Sequence, residues 1–221
     1  MKILLSWSSG KDSAWALHLL RRDGANVAGL LTSLNESAGR VSMHGVREEI
    51  LRAQAGAAGL PLRTIPLPWP CTNEIYEARL RIAVDTAVAD GFTHVAFGDL
   101  FLEDVRKYRE DRLAGTGLTP LFPVWGLPTP RLARDMIAGG LRATLATIDP
   151  RVMPRELIGA EFDDALLLAL PPGIDPCGEN GEFHTCVTAG PMFSRALDVA
   201  SGETVEREGF LYGDLTLVRS T

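Results

Sequence analysis

The stretch Lys2-Ile3-Leu4-Leu5-Ser6-Trp7-Ser8-Ser9-Gly10-Lys11-Asp12-Ser13 decides how the chain is read. Lys2–Ser6 is an apolar run of strand length, and Ser13–Arg22 has helical spacing and closes on Gly24. A strand that turns tightly into a helix aims unpaired backbone N–H groups and the positive helix end at one point, which suits a phosphate. Gly10 lets the loop backbone approach a ligand, while Ser8, Ser9 and Ser13 crowd it little and add hydroxyl donors. Lys11 adds a point charge. Asp12 is placed to cap the helix or to meet a magnesium ion carried by a nucleotide. The Walker-type loop is excluded, because it needs glycine where Leu5 sits and Ser or Thr where Asp12 sits. The competing reading is a plain polar helix cap. Only three of the 22 basic residues are lysines, and one of them stands beside Gly10 and Asp12, which favours the phosphate.

The pattern beyond this stretch repeats strand and helix. Val27–Thr32, Leu62–Ile65 and His94–Phe97 read as strands. Val46–Ala55, Thr72–Asp90 and the segment through Leu102, Val105 and Tyr108 read as helices, with Ile75, Ala78 and Ile82 on one expected inner face. Such alternation implies an α/β fold, a doubly wound parallel sheet covered on both faces, with strand order 3-2-1-4-5. Pro120, Pro123, Pro128 and Pro130 make the stretch around Trp125 too proline-rich for regular structure. A helix at Leu132–Ala138 and a strand at Leu141–Ile148 then complete a nucleotide-binding domain of residues 1–150. Residues 151–221 read as a smaller C-terminal α+β substrate domain. It holds a helical stretch Pro154–Leu170, a turn-rich segment Pro171–Gly181 and strand-like runs at Phe183–Thr188, Ala196–Val199 and Thr216–Val218.

Composition narrows the function classes. The 221 residues carry a net charge of −6, which argues against broad capture of nucleic acid while leaving room for a local anion pocket. Three cysteines, Cys71, Cys177 and Cys186, are too few for a disulfide scaffold and fit a reducing cytoplasm. The N-terminus has no signal-peptide pattern, and no apolar stretch is long enough to span a membrane. Nineteen arginines against three lysines suit a GC-rich bacterial source. The sequence admits a homodimer without specifying one.

Two further segments carry chemistry. Gly98-Asp99 ends the fourth parallel strand, beside the first, where the connections of such a sheet diverge and ligands bind. Asp99 then faces the Ser8–Ser13 loop, able to hold a ribose hydroxyl, a metal or an attacking group; by itself it reads equally as a helix cap. After the second strand, Leu31, Thr32 and Met43 are neighbours for an adenine, whereas His44 reads as an ordinary loop histidine. Arg106 and Arg109 lie on a mostly solvated helix face, within reach of an anionic substrate. In Asp175-Pro176-Cys177-Gly178-Glu179-Asn180-Gly181-Glu182-Phe183-His184-Thr185, the carboxylates Glu179 and Glu182 and the imidazole of His184 gather proton-handling groups in one loop. Cys177, His184 and Cys186 match no zinc spacing. A plain glycine-rich turn is the local alternative.

The Ser8–Ser13 loop resembles the Ser-Gly-Gly-x-Asp-Ser pyrophosphate loop of N-type ATP pyrophosphatases, with Ser9 in place of the first glycine. Ser9 must therefore avoid a left-handed backbone or bear its cost. The loop, Met43-His44-Gly45-Val46-Arg47, Asn73-Glu74-Ile75-Tyr76, Gly98-Asp99 and Gly178–Thr185 together resemble the pyrophosphatase family that contains diphthine–ammonia ligase, in its bacterial form. The resemblance implies ATP and Mg2+ as cofactors, Asp12 toward the magnesium, and a nucleotide held by Ser8, Ser9, Gly10, Lys11, Asp12, Ser13, Leu31, Thr32, Met43 and Gly98. It implies catalysis by Lys11, Asp12, Asp99, Glu179, Glu182 and His184. A carboxylate acceptor, small molecule or modified protein side chain, would be adenylated with release of pyrophosphate and attacked by ammonia. Two other readings remain open: a tRNA-thiolating pyrophosphatase, disfavoured by charge and scattered cysteines, and a nucleotide sensor without turnover.

Overall fold

A computed structural model describes residues 1–218. The chain runs β1 (Ile3–Ser6), α1 (Lys11–Arg22), β2 (Val27–Asn35), β3 (Arg40–Val41), α2 (Glu48–Ala58), β4 (Leu62–Leu67), α3 (Asn73–Ala89), β5 (His94–Ala96), α4 (Glu103–Leu113) and β6 (Thr119–Leu121). It continues with α5 (Thr129–Ala138), β7 (Arg142–Ile148), a 3-10 turn (Arg155–Leu157), α6 (Asp164–Ala169), β8 (Phe183–Ala189), β9 (Val199–Arg207) and β10 (Phe210–Leu217).

The parallel strands stand in the order β4-β2-β1-β5-β6, which is 3-2-1-4-5 counted over those strands alone. β3 adds a short antiparallel pairing to Leu34 and Asn35 at the far end of β2. The expected order therefore holds, with one exchange. Its fifth place is taken by β6, inside the proline-rich stretch, and not by Leu141–Ile148. Pro120 is tolerated because β6 is an edge strand. The neighbours of Pro120 make the ladder bonds, Thr119 N–H to Thr93 O at 3.0 Å and Phe97 N–H to Leu121 O at 2.9 Å, so its missing donor is never required.

β7 joins a second, antiparallel sheet in the order β8-β7-β10-β9. All its strand pairings are to β8 and β10, so a division at residue 150 would part this strand from its own sheet. The C-terminal hairpin is longer than the expected runs. β9 starts at Val199, and most of its residues are exposed, so no apolar alternation marks it. Pro154–Leu170 contains only the 3-10 turn and the six-residue α6, capped by Asp163 accepting from Leu166 N–H at 2.8 Å.

One apolar cluster joins β1, α1 and α2 to β7, β8 and β10, including Leu5, Leu17, Leu51, Leu145 and Val187. This shared core fixes the antiparallel sheet against the α1 side of the parallel one. A second cluster under α3 and α4, around Val84, Phe92, Val95 and Leu113, covers the other face. Here the expected inner face of α3 is corrected. Ile75, Ala78 and Ile82 are exposed, and the helix buries Val84 and Ala87 instead. These two pack on Leu4 of β1, Val95 of β5 and Phe92, so the inward stripe lies in the second half of the helix.

Candidate functional site

α1 begins at Gly10, whose extended backbone (φ −93°, ψ 170°) has no side-chain cap. The N–H groups of the first turn therefore lie outside the intrahelical ladder. Asp12 in that turn and Arg21 and Arg22 in the last complement the helix dipole. Ser9 does take the left-handed backbone, at φ 69°, a cost of about 1–2 kcal/mol for a residue with a Cβ. Its carbonyl is pinned by Val187 N–H at 2.9 Å and by Gln54 Nε2 at 3.1 Å. Gln54 also accepts from Trp7 Nε1 at 3.0 Å and donates to Val187 O at 2.7 Å. This buried amide is the hub of the loop, and no local motif announces it. Gly98 brings the end of β5 against the helix: a Cβ there would lie 2.8 Å from Ser13 N and 2.9 Å from Asp12 C.

The C-terminal sheet closes over this loop. Lys11 N–H donates to Thr185 Oγ1 at 3.0 Å, and Lys11 Nζ donates to Asp12 Oδ2 at 2.9 Å and to the Cys177 carbonyl. The ammonium is buried, 5.3 Å from the Phe183 ring and 5.6 Å from that of Phe162. Burial alone would strip its charge, but Asp12 holds it protonated and above its ordinary pKa. Lys11 is thus engaged between two segments and is not a loose charge at a phosphate. Glu179 accepts from Leu100 N–H at 2.7 Å, and burial lifts its carboxyl to about 7, with Asp12 and Asp99 adding to the rise. Glu182 turns away from the cavity. Its Oε1 accepts from Asp175 N–H at 3.1 Å and Asn180 Nδ2 at 3.0 Å, and so ties its own loop.

His44 is no ordinary loop histidine. Its ring lies 4.6 Å from that of His184, and Nδ1 is 3.2 Å from Thr185 O. A carbonyl only accepts, so Nδ1 carries the proton and Nε2 keeps its lone pair. Gly10 makes room for this ring, since a Cβ there would come 2.7 Å from His44 Cε1. Burial and the neighbouring imidazole hold His44 well below 6.5, and burial with the Lys11 charge brings His184 down to about 4. Both rings are neutral at physiological pH.

The Met43–Arg47 motif is therefore largely a seam. Thr147 Oγ1 donates to His44 O at 3.0 Å, and Asp214 receives Arg47 through both Nε (2.9 Å) and Nη2 (2.6 Å) and Arg40 Nη2 at 2.9 Å. These arginines, Arg47 first, bring the Asp214 carboxyl down to about 2 against the effect of burial. Its stabilising contribution is present above about 3.8 and is lost as pH falls toward 2. Asp214→Asn is expected to cost about 1–3 kcal/mol at neutral pH. Thermal melts between pH 2 and 7 check this; a variant with the parent's stability throughout would remove the seam from the argument.

These segments surround one cavity of about 1490 Å3. Of the residues expected there, Ser8, Lys11, Asp12, Ser13, Leu31, Thr32, Met43, Gly98, Asp99, Glu179 and His184 line it; Ser9, Gly10 and Glu182 do not. Thr32 also donates to Trp7 O at 2.7 Å, and Met43 stands exposed at the rim. Asp99 accepts from Arg109 Nε at 3.4 Å. Arg106 lies off the cavity, 4.8 Å from the Phe122 and Trp125 rings. Among the described residues no three His, Cys, Asp or Glu side chains converge as a metal site, and no helix is long and apolar enough to cross a membrane.

Comparison with known proteins places the chain in a family. Residues 1–118 match the family described as Diphthamide synthase N-terminal domain, and residues 132–216 match Diphthamide synthase C-terminal domain. The diphthine–ammonia ligase of Schizosaccharomyces pombe is 34% identical over 94 residues, which make up 41% of this chain and only 16% of that longer protein. A solved structure from Methanocaldococcus jannaschii, described as a predicted subunit of tRNA methyltransferase, is 17% identical with a TM-score of 0.46; the match covers 86% of this chain and 98% of that one. With both of its parts matched in order across most of its length, the chain belongs to the diphthamide synthase family.

Proposed function

We propose that the protein is an ATP-dependent ligase that adenylates a carboxylate and passes the acyl group to ammonia, as a diphthine–ammonia ligase does. One observation carries this reading: the phosphate loop of α1 and the Glu179–His184 segment open onto a single cavity and are tied together through Lys11 and Thr185. In the reaction, an acceptor carboxylate oxygen bonds to the α-phosphorus of ATP. The α-phosphorus bond to the bridging oxygen breaks, and pyrophosphate leaves. The ammonia nitrogen then bonds to the acyl carbon, the carbon–oxygen bond to AMP breaks, and the nitrogen releases a proton.

The Asp12 and Ser13 N–H groups and the Ser8 hydroxyl hold the phosphates, since the Lys11 N–H and the Ser13 hydroxyl donate within the protein, to Thr185 and to the Gly10 carbonyl. Asp99 faces them and takes a ribose hydroxyl. Glu179, with its carboxyl lifted to about 7, receives the nitrogen's proton. The neutral ring of His44 offers its Nε2 lone pair to accept an ammonia N–H, and His184 lies beside it. Asp12 Oδ1 is a buried acceptor without a protein partner and suits a magnesium ion accompanying the triphosphate, whose role is to offset phosphate charge.

Burial pushes the Cys177 and Cys186 thiols up to about 12, which speaks against thiolate chemistry of the tRNA-thiolating kind. The unpaired cysteines support a reducing cytoplasm, and the arginine excess supports a bacterial source. Purified protein given labelled ATP, ammonium and a panel of carboxylates is expected to form AMP, pyrophosphate and amide in equal amounts. ADP and phosphate as main products would instead indicate a kinase or simple ATPase.

A further inference from the structure

The cavity exceeds the roughly 300–1,000 Å3 of a site for one small ligand. Part of its surplus lies under the first half of α3. That helix has 17 residues and fully buries only Val84 and Ala87, both in its second half. Earlier on the same helix, Tyr76 and Leu80 are half-buried and line the cavity, together with Val84, Val95, Phe97 and Leu113. Where a helix would ordinarily pack on its sheet, an apolar hollow is left.

The polar groups of this hollow stand at one end. Arg109 lies 5.0 Å from the Phe97 ring and reaches Asp99 through Nε at 3.4 Å, a long contact that uses one edge of the guanidinium. Arg112 also borders the cavity. Gly98, between Phe97 and Asp99, packs on the Asp12–Ser13 peptide, so this end of the hollow is adjacent to the phosphate loop. A site with apolar walls and a guanidinium at its mouth fits an organic anion with an apolar body. Arg112 is ion-paired with Glu77, so the recognition falls to Arg109, whose single long bond to Asp99 leaves its Nη groups to favour an anion over an amine.

We propose that the hollow under α3 binds the acceptor, a carboxylic acid with an aliphatic or aromatic body, and that Arg109 receives its carboxylate beside the phosphate loop. This deepens the ligase reading and rests on it for the acceptor's role, though not for the binding itself. Arg109 is a binding residue in this scheme, and Leu80 sets the depth of the hollow.

The test uses the full chain with the non-hydrolysable analogue α,β-methylene-ATP and a series of simple acids, acetate, butyrate and hexanoate, followed by calorimetry and ligand-observed NMR. Affinity is expected to rise by about fourfold per added methylene, and hexylamine is expected to bind at least tenfold more weakly than hexanoate. Leu80→Trp, checked for folding by circular dichroism, should flatten the series. Arg109→Gln should abolish the preference for hexanoate over hexanol while keeping the dependence on chain length. Equal binding of acetate and hexanoate to the parent overturns the proposal, as does an unchanged series in folded Leu80→Trp. Displacement of the ATP analogue by hexanoate also overturns it, because the hollow would then hold the adenine. A clear length series without acid-stimulated AMP release when ATP replaces the analogue would keep the binding site and reject the ligase reading. Amide formation on short polar acids without a length series would do the reverse.

Discussion

Lys11→Ala is expected to lower folding stability by about 3–5 kcal/mol, because it leaves the half-buried Asp12 carboxylate without its cation and a cavity where the buried stem packed. As a plain phosphate contact, Lys11 would cost about 1.5–3 kcal/mol, and only in nucleotide binding. The structure shifts the larger effect to the protein itself. The ammonium bridges Asp12 and the Cys177 carbonyl, and it lies against the adjacent rings of Phe162 and Phe183. Its loss removes the side-chain tie to the Cys177 carbonyl, while the backbone bonds of Lys11 to Thr185 and of Val187 to Ser9 stay, so ATP binding should weaken only as a consequence of a looser Cys177 turn. Urea unfolding without nucleotide measures the first effect, and ATP titration at low temperature measures the second. Stability within about 0.5 kcal/mol of the parent, with ATP binding lost, would return Lys11 to the phosphates.

Glu179→Gln is expected to reduce amide formation by about 10²–10⁴-fold, the usual contribution of a general base. Glu182→Gln should stay within about threefold of the parent, since a glutamine oxygen can still accept from Asp175 N–H and Asn180 Nδ2. This reverses the weight the sequence places on Glu182, and the reason is orientation. Glu179 borders the cavity, whereas Glu182 lies off it, with Oε1 held by its own loop and Oε2 buried without a partner. At a fixed concentration of free ammonia, the parent's rate should rise with pH and level off above about 7, as Glu179 loses its proton. Stability carries the opposite sign. The folded carboxyl sits above its ordinary 4.5, so the ionised form works against folding, and this group's contribution declines as pH rises from about 4.5 to about 7. Glu179→Gln should remove both dependences. Equal loss of activity in the two variants would place Glu182 on the substrate.

By itself the sequence determined what local pattern can carry. Apolar runs alternating with helical spacing specify a parallel α/β sheet, and the turn at Ser8-Ser9-Gly10 from strand into helix specifies a helix N-terminus of the kind that suits an anion, because both depend on neighbours a few residues apart. The motif segments likewise marked which stretches meet at the site. Tertiary structure decided the rest. Leu141–Ile148 reads the same in either sheet, and only pairing with β8 and β10 assigned it to the second. Thr119–Leu121 became a strand because an edge position never asks Pro120 for a donor. His44 became a site residue only when Thr185 and His184 were folded onto it, 141 residues further along in the case of Thr185. Lys11 has a long, freely rotating stem, and nothing within a helical turn of it announces a partner at Cys177, 166 residues away. Periodicity states which face a residue occupies. Where a flexible charged side chain finds its counter-charge is settled only when distant segments pack together and exclude water.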